Sequence, residues 1–442
     1  MRLAWTSYPV PRFQGAIRAP GDKSCSHRAL MFAGLADGTS EISGLLEGED
    51  VINTAKAMAA LGASVEQTGP GKWTVKGVGK AGLSSPAQDI DFGNSGTGSR
   101  LMMGLMAGYP ITARLVGDAS LSKRPMNRVI KPLEQMGARF EHDGRGMLPI
   151  TLHGSDALTP IDFEPEQASA QVKSCVLLAG LNARGTTSVT ESRPTRDHTE
   201  KMLRGFGVKI STRPAGGVRQ CVSIEGGQTL QPVDTSIPGD PSSAAFLIAG
   251  ALISPSGGVV VEGVMSNETR DGFFQAAAMM GAGLGAEEMG DAAGERLVDL
   301  QAATASLRGR SIPETLVASM IDEFPILSVI AAFAEGETVV SGAEELRVKE
   351  SDRIAATVAM LRVNGVEVEE RADGFVVQGC GGPPPGGGLV ETHHDHRIAM
   401  SALVMGTAAQ KPVSIDDPGM IATSYPDFMA HMAELGADIR EG

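Results

Sequence analysis

Six glycines punctuate this 442-residue chain at nearly even intervals: Gly62, Gly137, Gly207, Gly281, Gly365 and Gly436, spaced 70 to 84 residues apart. Each ends a helical pattern and precedes a strand pattern, as in AMAALGASVE, PLEQMGARFE and HMAELGADIR. Glycine closes a helix in the left-handed conformation at little cost. One such turn says little. Six in register mean a chain built from one repeated unit, and that fixes the architecture before any motif is read. The unit reads as βαβαββ and the fold class as α/β.

A second helix recurs in every repeat, beginning near Lys23, Ser95, Ser169, Ser242, Glu323 and His394. After a polar or basic start, each turns apolar or small on nearly all faces, which marks a buried helix rather than an amphipathic one. Equivalent helices from equivalent repeats should lie side by side and parallel, with their N-termini pointing one way. Helix N-termini attract anions through free N–H groups and a partial positive charge. Lys23, Arg28, Arg100 and Arg397 fall at these starts, yet the chain's formal net charge is -14. Local cations in an acidic protein suit a small anionic ligand. A nucleic-acid binder needs an extended basic face, and base stacking needs more aromatics than the 4% present here.

The length predicts at least two domains. Cys25, Cys175, Cys221 and Cys380 form no CxxC pair, which points to a reducing compartment and no metal cluster. The N-terminus lacks a signal-peptide core and no window reaches a membrane span, so a cytoplasmic protein with no membrane partner is expected. Two near-copies, APGDKSCSHRALMFAGLA from Ala19 and IPGDPSSAAFLIAGAL from Ile237, are 218 residues apart, about three repeats. Each reads as a crossing between domains. The predicted domains are 22–237 and 1–21 plus 238–442, with three repeats in each. The stretch Gly379–Gly388 reads as an inserted loop, because its Pro and Gly content cannot form an element interior.

Several segments hold two readings at once. GDKSCSHR (Gly21–Arg28) is either a helix start capped by Asp22 or Ser24, or a cationic start whose charge a bound anion offsets. FGNSGTGSR (Phe92–Arg100) lacks the Walker and GxGxxG spacings. It is either a flexible turn or a place where backbone N–H groups approach an anion, with Gly96 leaving room. LSKRPMNR (Leu121–Arg128) has the composition of a solvated charged face. LRVKESDR packs Lys349, Glu350, Asp352 and Arg353 into one helix start, where the basic groups again call for an anion. HHDHR (His393–Arg397) suggests zinc at first sight, but no fourth ligand is spaced for it. The alternative is a polar helix start presenting Arg397. In IDEFP, Asp322 and Glu323 are either caps or carboxylates poised as a base.

The segments GDKSCSHRA, GNSGTGSR, SKRPM, SAQVKS, TRDHTE, DEFP, LRVKESDR and DHRIAM occur in this order over essentially the whole chain. In this they resemble the enolpyruvyl transferase family, and within it the EPSP (5-enolpyruvylshikimate-3-phosphate) synthases. The resemblance implies a two-domain inverse α/β barrel of six βαβαββ repeats, with the site in the interdomain cleft. It implies transfer of the enolpyruvyl group of phosphoenolpyruvate to the 5-hydroxyl of shikimate 3-phosphate, with release of phosphate and no cofactor or metal. By the same resemblance Lys23, Ser24, Arg28, Ser169, Ala170, Gln171, Arg196, Asp322 and Lys349 hold shikimate 3-phosphate. Lys23, Asn94, Gly96, Arg124, Gln171, Arg353 and Arg397 hold phosphoenolpyruvate. Asp322, Glu350, Lys349 and Lys23 are the implied catalytic groups. Planar guanidinium groups suit substrates that carry both phosphate and carboxylate.

Three places depart from much of the family. Ala422-Thr423-Ser424-Tyr425-Pro426 stands where many members carry a lysine, Leu101 replaces a proline, and TRDHTE with Arg196 replaces a serine and tyrosine arrangement. The last two features resemble a subgroup that includes herbicide-tolerant enzymes. That tolerance goes with alanine at the glycine position, and Gly96 stands here, so sensitivity to the inhibitor glyphosate is expected. A UDP-N-acetylglucosamine enolpyruvyl transferase is the nearest rival, but Gly117–Arg124 lacks that family's cysteine. A non-catalytic repeat scaffold is the rival of another class. A monomer is the expected state.

Overall fold

The computed structural model describes residues 4–442, and the chain in it divides into two compact units. The first unit is Gly21–Ile237 with Ala292–Gly294. The second comprises the chain up to Pro20, Pro238–Asp291 and Glu295–Gly442. The first unit holds helices α1 (Lys23–Leu35), α2 (Glu49–Ala60), α3 (Gly96–Ala107), α4 (Asn127–Met136), α5 (Ala170–Gly180) and α6 (His198–Gly205). The second holds α7 (Pro241–Ile253), α8 (Gly272–Met279), α9 (Phe324–Phe333), α10 (Arg353–Val363), α11 (His396–Gly406) and α12 (Phe428–Glu434). Among the described residues no helix is long and apolar enough to cross a membrane.

The odd-numbered helices are the buried ones the repeat predicts. Every residue of α7, α9 and α11 is buried, as is every residue of α3 except Thr97. In the second unit these three helices pack on one another, and Phe246 and Phe324 meet Phe428 and Phe375 edge to face. In the first unit α3 and α5 approach so closely that a Cβ on Gly104 would lie 2.1 Å from the Cys175 carbonyl oxygen. The even-numbered helices bury one stripe only; α4, for instance, buries Val129, Ile130, Leu133 and Met136. All six glycines that follow them have positive φ, between 77° and 111°.

Among the described residues, six small sheets carry the repeat. The sheet of the third repeat shows the pattern: Asp162–Phe163 lies parallel to Thr186–Glu191, which is antiparallel to Gln220–Glu225, itself antiparallel to Ile210–Pro214. Four repeats depart from the simple unit, and the fourth takes its parallel strand from Gly15–Arg18, which pairs with Gly258–Ser266. The first sheet takes its parallel strand from Thr235–Ser236, the last residues before the chain leaves the first unit. The sixth is completed by the N-terminal strand Trp5–Tyr8, which lies between Val413–Ile415 and Asp438–Glu441. The fifth has three strands, its parallel position held by isolated bridges from Arg308 to Glu335 and from Ser311 to Val339. The Gly379–Gly388 stretch is the expected loop between two strands from Gly381 onward, while Gly379 and Cys380 end the strand Gly374–Cys380. Gly379 pairs with Gly336, where a Cβ would meet the Ala334 carbonyl oxygen at 2.1 Å. Within the second unit, the Asp240 N–H donates to the Pro20 carbonyl (2.8 Å).

Two predictions follow from this packing. Gly137→Ala puts a methyl into open space at φ 111°, so only the backbone objects, and it should cost about 1–2 kcal/mol. Gly104→Ala drives α3 off α5 and should cost more than about 3 kcal/mol. Equal shifts in the denaturant midpoint would refute the distinction. The second concerns His27, fully buried on α1 against Thr54 of α2 (Nδ1 to Oγ1 2.7 Å). Burial, then Lys23 and Arg28, push its pKa down from 6.5 to about 3. Below pH 6.5 the unfolded chain takes up a proton that folded His27 refuses. Stability therefore falls with pH, by up to about 1.4 kcal/mol per unit. His27→Asn should flatten the acid limb of the stability profile by one proton, and an unchanged slope would sink the assignment.

Candidate functional site

In the first unit, three buried helices begin among cations. Asp22 caps α1 by accepting from the Cys25 N–H (2.7 Å). Behind that cap, Lys23 reaches Asp50 of α2 (3.1 Å). Arg28, one turn further on, donates from Nε to Thr199 (2.7 Å), from Nη1 to the Ser24 carbonyl and from Nη2 to Ser174 (both 2.9 Å). Burial lowers the Arg28 pKa; Glu200 works against that, and the nearby Arg196 charge works with it. Two like charges this close favour an anion between them. At the start of α3, Ser95 caps through the Gly98 N–H (3.0 Å). Arg124 is 7% exposed and donates to Asn94 and, at 3.4 Å, to Ser120. Arg100 donates to Gln171 (2.6 Å), whose amide in turn donates to Thr97 (3.0 Å). Gly96 lies under this pair: a Cβ there would sit 3.0 Å from Arg124 Nη1 and 3.3 Å from Arg100 Nη1. Ser169 occupies the cap position of α5, beside Ala170, without making a side-chain capping bond.

In the second unit, the starts of α9, α10 and α11 meet at Arg353. Its side chain is 1% exposed and faces three carboxylates: Asp395 from Nε (2.8 Å), Asp322 from Nη1 (2.9 Å) and Glu350 from Nη2. Burial alone would lower its pKa, but Asp395, Glu350 and Asp322 outweigh that and hold it above the usual value. Asp395 also caps α11 through the Arg397 N–H (2.9 Å) and accepts from Ser351 (3.0 Å). Arg397 lies 3.7 Å from Glu323 and over the Phe246 ring, 5.9 Å from its centroid. Lys349 reaches Glu345 at 3.6 Å; burial lowers its pKa against the pull of Asp322 and Glu345. A carboxylate, a guanidinium and an ammonium of lowered pKa at one helix junction can move protons.

The structure corrects several sequence readings. Lys349 and Glu350 do not belong to a helix start; they sit in the turns ahead of α10, which begins at Arg353 with Asp352 as its cap. The arginine and lysine charges do not wait on an anion for their first partner, since Asp50 meets Lys23 and three carboxylates meet Arg353. LSKRPMNR is not one solvated face: Lys123 is exposed but Arg124 is buried. HHDHR is the polar helix start as read, with Asp395 capping α11 and Arg397 in its first turn; only the exposed His393 and His394 lie in a left-handed turn ahead of it (φ 51° and 57°). Asp395 and Arg100 are the residues whose weight the motifs understated. A cap-position Asp before an apolar helix, and an Arg inside one, were the available signals. Where the family lysine is missing, Thr423 bonds the Met420 carbonyl (2.7 Å), and the buried Tyr425 hydroxyl meets His431 (2.8 Å).

The comparisons with known proteins agree with one another. The family EPSP synthase (3-phosphoshikimate 1-carboxyvinyltransferase) matches residues 8–432. The curated 3-phosphoshikimate 1-carboxyvinyltransferase of Hyphomonas neptunium is 68% identical over 99% of this chain and 100% of its own length. That of Parvibaculum lavamentivorans is 53% identical over 98% of this chain and 96% of its own. The solved EPSP synthase of Acinetobacter baumannii superposes with a TM-score of 0.87 at 42% identity, covering 99% of this chain and 100% of that one. The enolpyruvyl transferase NikO from Streptomyces tendae shares the fold with a TM-score of 0.76 at 19% identity, over 99% of this chain and 98% of its own. With its six repeats and two-domain inverse α/β barrel fold, the chain belongs to the EPSP synthase family.

Proposed function

We propose that this chain transfers the enolpyruvyl group of phosphoenolpyruvate to the 5-hydroxyl of shikimate 3-phosphate and releases phosphate, a step of the shikimate pathway toward chorismate and the aromatic amino acids. The observation that carries the reading is the cluster of Asp322, Arg353 and Glu350 at one helix junction, with Lys349 beside it. The cationic starts of α1 and α3 support it. Lys23, Ser24, Arg28, Ser169, Ala170, Gln171 and Arg196 hold shikimate 3-phosphate with Asp322 and Lys349. Lys23, Asn94, Gly96, Arg124, Gln171, Arg353 and Arg397 hold phosphoenolpyruvate. The domains are residues 22–237 and 1–21 plus 238–442, and the enzyme works as a cytoplasmic monomer.

Asp322 accepts the proton of the 5-hydroxyl as its oxygen attacks C2 of phosphoenolpyruvate. Glu350 or Lys349 supplies a proton to the methylene carbon, giving a tetrahedral ketal. Breaking the bond from C2 to the phosphate oxygen, with a methyl proton returned to the group that supplied it, gives the enol ether and phosphate. The lowered Lys349 pKa makes its ammonium a stronger acid toward the departing phosphate.

Phosphate release from the purified chain should require both substrates. Asp322→Asn should lower kcat at least about 100-fold with the melting temperature held within a few degrees. Release from phosphoenolpyruvate alone would overturn the reading, and so would full activity in that variant. Glyphosate should inhibit by occupying the phosphoenolpyruvate site. Gly96→Ala adds a methyl beneath the Arg124 and Arg100 guanidinium ends, so the inhibition constant should rise at least about tenfold. An unchanged constant would place the inhibitor elsewhere.

A further inference from the structure

Apolar helix α5 contains one residue that its pattern does not explain. Lys173 follows Val172 and precedes Ser174, and its side chain is 0% exposed. A buried ammonium is costly unless paired and hydrogen-bonded. Lys173 is both: Nζ lies 2.9 Å from Glu191 Oε2 and 2.8 Å from Glu200 Oε1, and donates to the Thr195 carbonyl at 3.3 Å. Glu191 ends a strand and is fully buried; it also accepts from the Thr195 hydroxyl and from Gln220 Nε2 (3.0 Å). Glu200 lies in the first turn of α6 and is 2% exposed. This network joins no residue assigned above to either substrate.

Its position gives it a purpose. The chain between Glu191 and Glu200 runs through exposed Ser192, Arg193 and Pro194, and it carries Arg196. Lys173 grips this segment at Glu191, Thr195 and Glu200, so Arg196 is held from both sides. The next residue of α5, Ser174, shares a hydrogen bond with Thr199 (2.7 Å), and both hydroxyls accept from Arg28. One turn of α5 therefore fixes the segment that bears Arg196 and braces the Arg28 side chain. The charges agree: Glu200 is among the groups that stabilise the Arg28 cation, while Arg196 opposes it.

We propose that Lys173 is a positioning residue for shikimate 3-phosphate: through Glu191, Thr195 and Glu200 it sets Arg196 against Arg28 so that the pair receives the substrate's anionic group. This rests on the function proposed above. Removing Lys173 alone would leave two buried carboxylates facing each other. The test variant is therefore the volume-matched Lys173→Met/Glu191→Gln/Glu200→Gln, which leaves no charge in the network, assayed in the full chain by phosphate release. The KM for shikimate 3-phosphate should rise at least about tenfold while that for phosphoenolpyruvate stays within about twofold. A purely structural role would move both constants together or neither. A folded variant with an unchanged shikimate 3-phosphate KM, or with equal rises in both, overturns the proposal. Should the triple variant not fold, Glu200→Gln, which keeps the Lys173–Glu191 pair, must still raise the shikimate 3-phosphate KM selectively, and failure to do so is equally fatal. Wild-type chain that turns over neither substrate overturns the function instead, so the two failures are distinct.

Discussion

A helix that is apolar on every face has to be enclosed on every side, and this chain makes six of them. That constraint decides where its polar chemistry can be. Along α7, α9 and α11 no residue reaches solvent freely, so ligand-facing groups can sit only at the ends. The N-terminal ends are the useful ones, because their N–H groups and partial charge favour anions. The repeat then multiplies the device: each unit has three such starts, and each start can carry a different side chain. Glycines at contact points such as Gly104 let the helices come close enough for their starts to share a neighbourhood.

Bringing cations to those starts opposes the helix dipole, and the structure meets that cost with carboxylates, most of them buried or nearly so. Lys23 has Asp50, Arg397 lies near Glu323, and Arg353 has three acids. Two lysines show how the balance sets a role. Burial pulls the Lys173 pKa down, but Glu200 and Glu191 more than reverse it, so this ammonium keeps its proton and serves as a clamp. Lys349 is less buried, at 22% exposed, with a carboxylate further off at 3.6 Å, and burial still lowers its pKa. One lysine is suited to hold and the other to exchange a proton.

The sequence made the repeat and the buried helices legible because both depend on local pattern. Gly62 and its five counterparts closed helices as read, and the starts near Lys23, Ser95, Ser169, Ser242, Glu323 and His394 fell within two residues of the helices formed. What stayed hidden depends on contacts between distant segments. Nothing local tells that Trp5–Tyr8 completes the last sheet, or that Thr235–Ser236 returns to the first. The partners of Arg353 come from positions 322, 350 and 395, and no single motif contains them. LSKRPMNR failed as a solvated face for the same reason: Asn94, thirty residues back, draws Arg124 inward. Lys173 shows the limit best. Its oddity in α5 is visible in SAQVKS, but its reason lies at Glu191 and Glu200.

The excess of acid around Arg353 bears on how the proposed reaction begins. One guanidinium faces three carboxylates, and its Nε is committed to the fully buried Asp395. Its outer edge, Nη1 and Nη2, faces Asp322 and Glu350, each about one-fifth exposed. An incoming carboxylate or phosphate that takes this outer edge must displace one or both of them, while Asp395 keeps the group in place. In the reaction proposed above, the substrate anion and the two carboxylates would compete for the same edge of Arg353, because a guanidinium has a fixed number of donors.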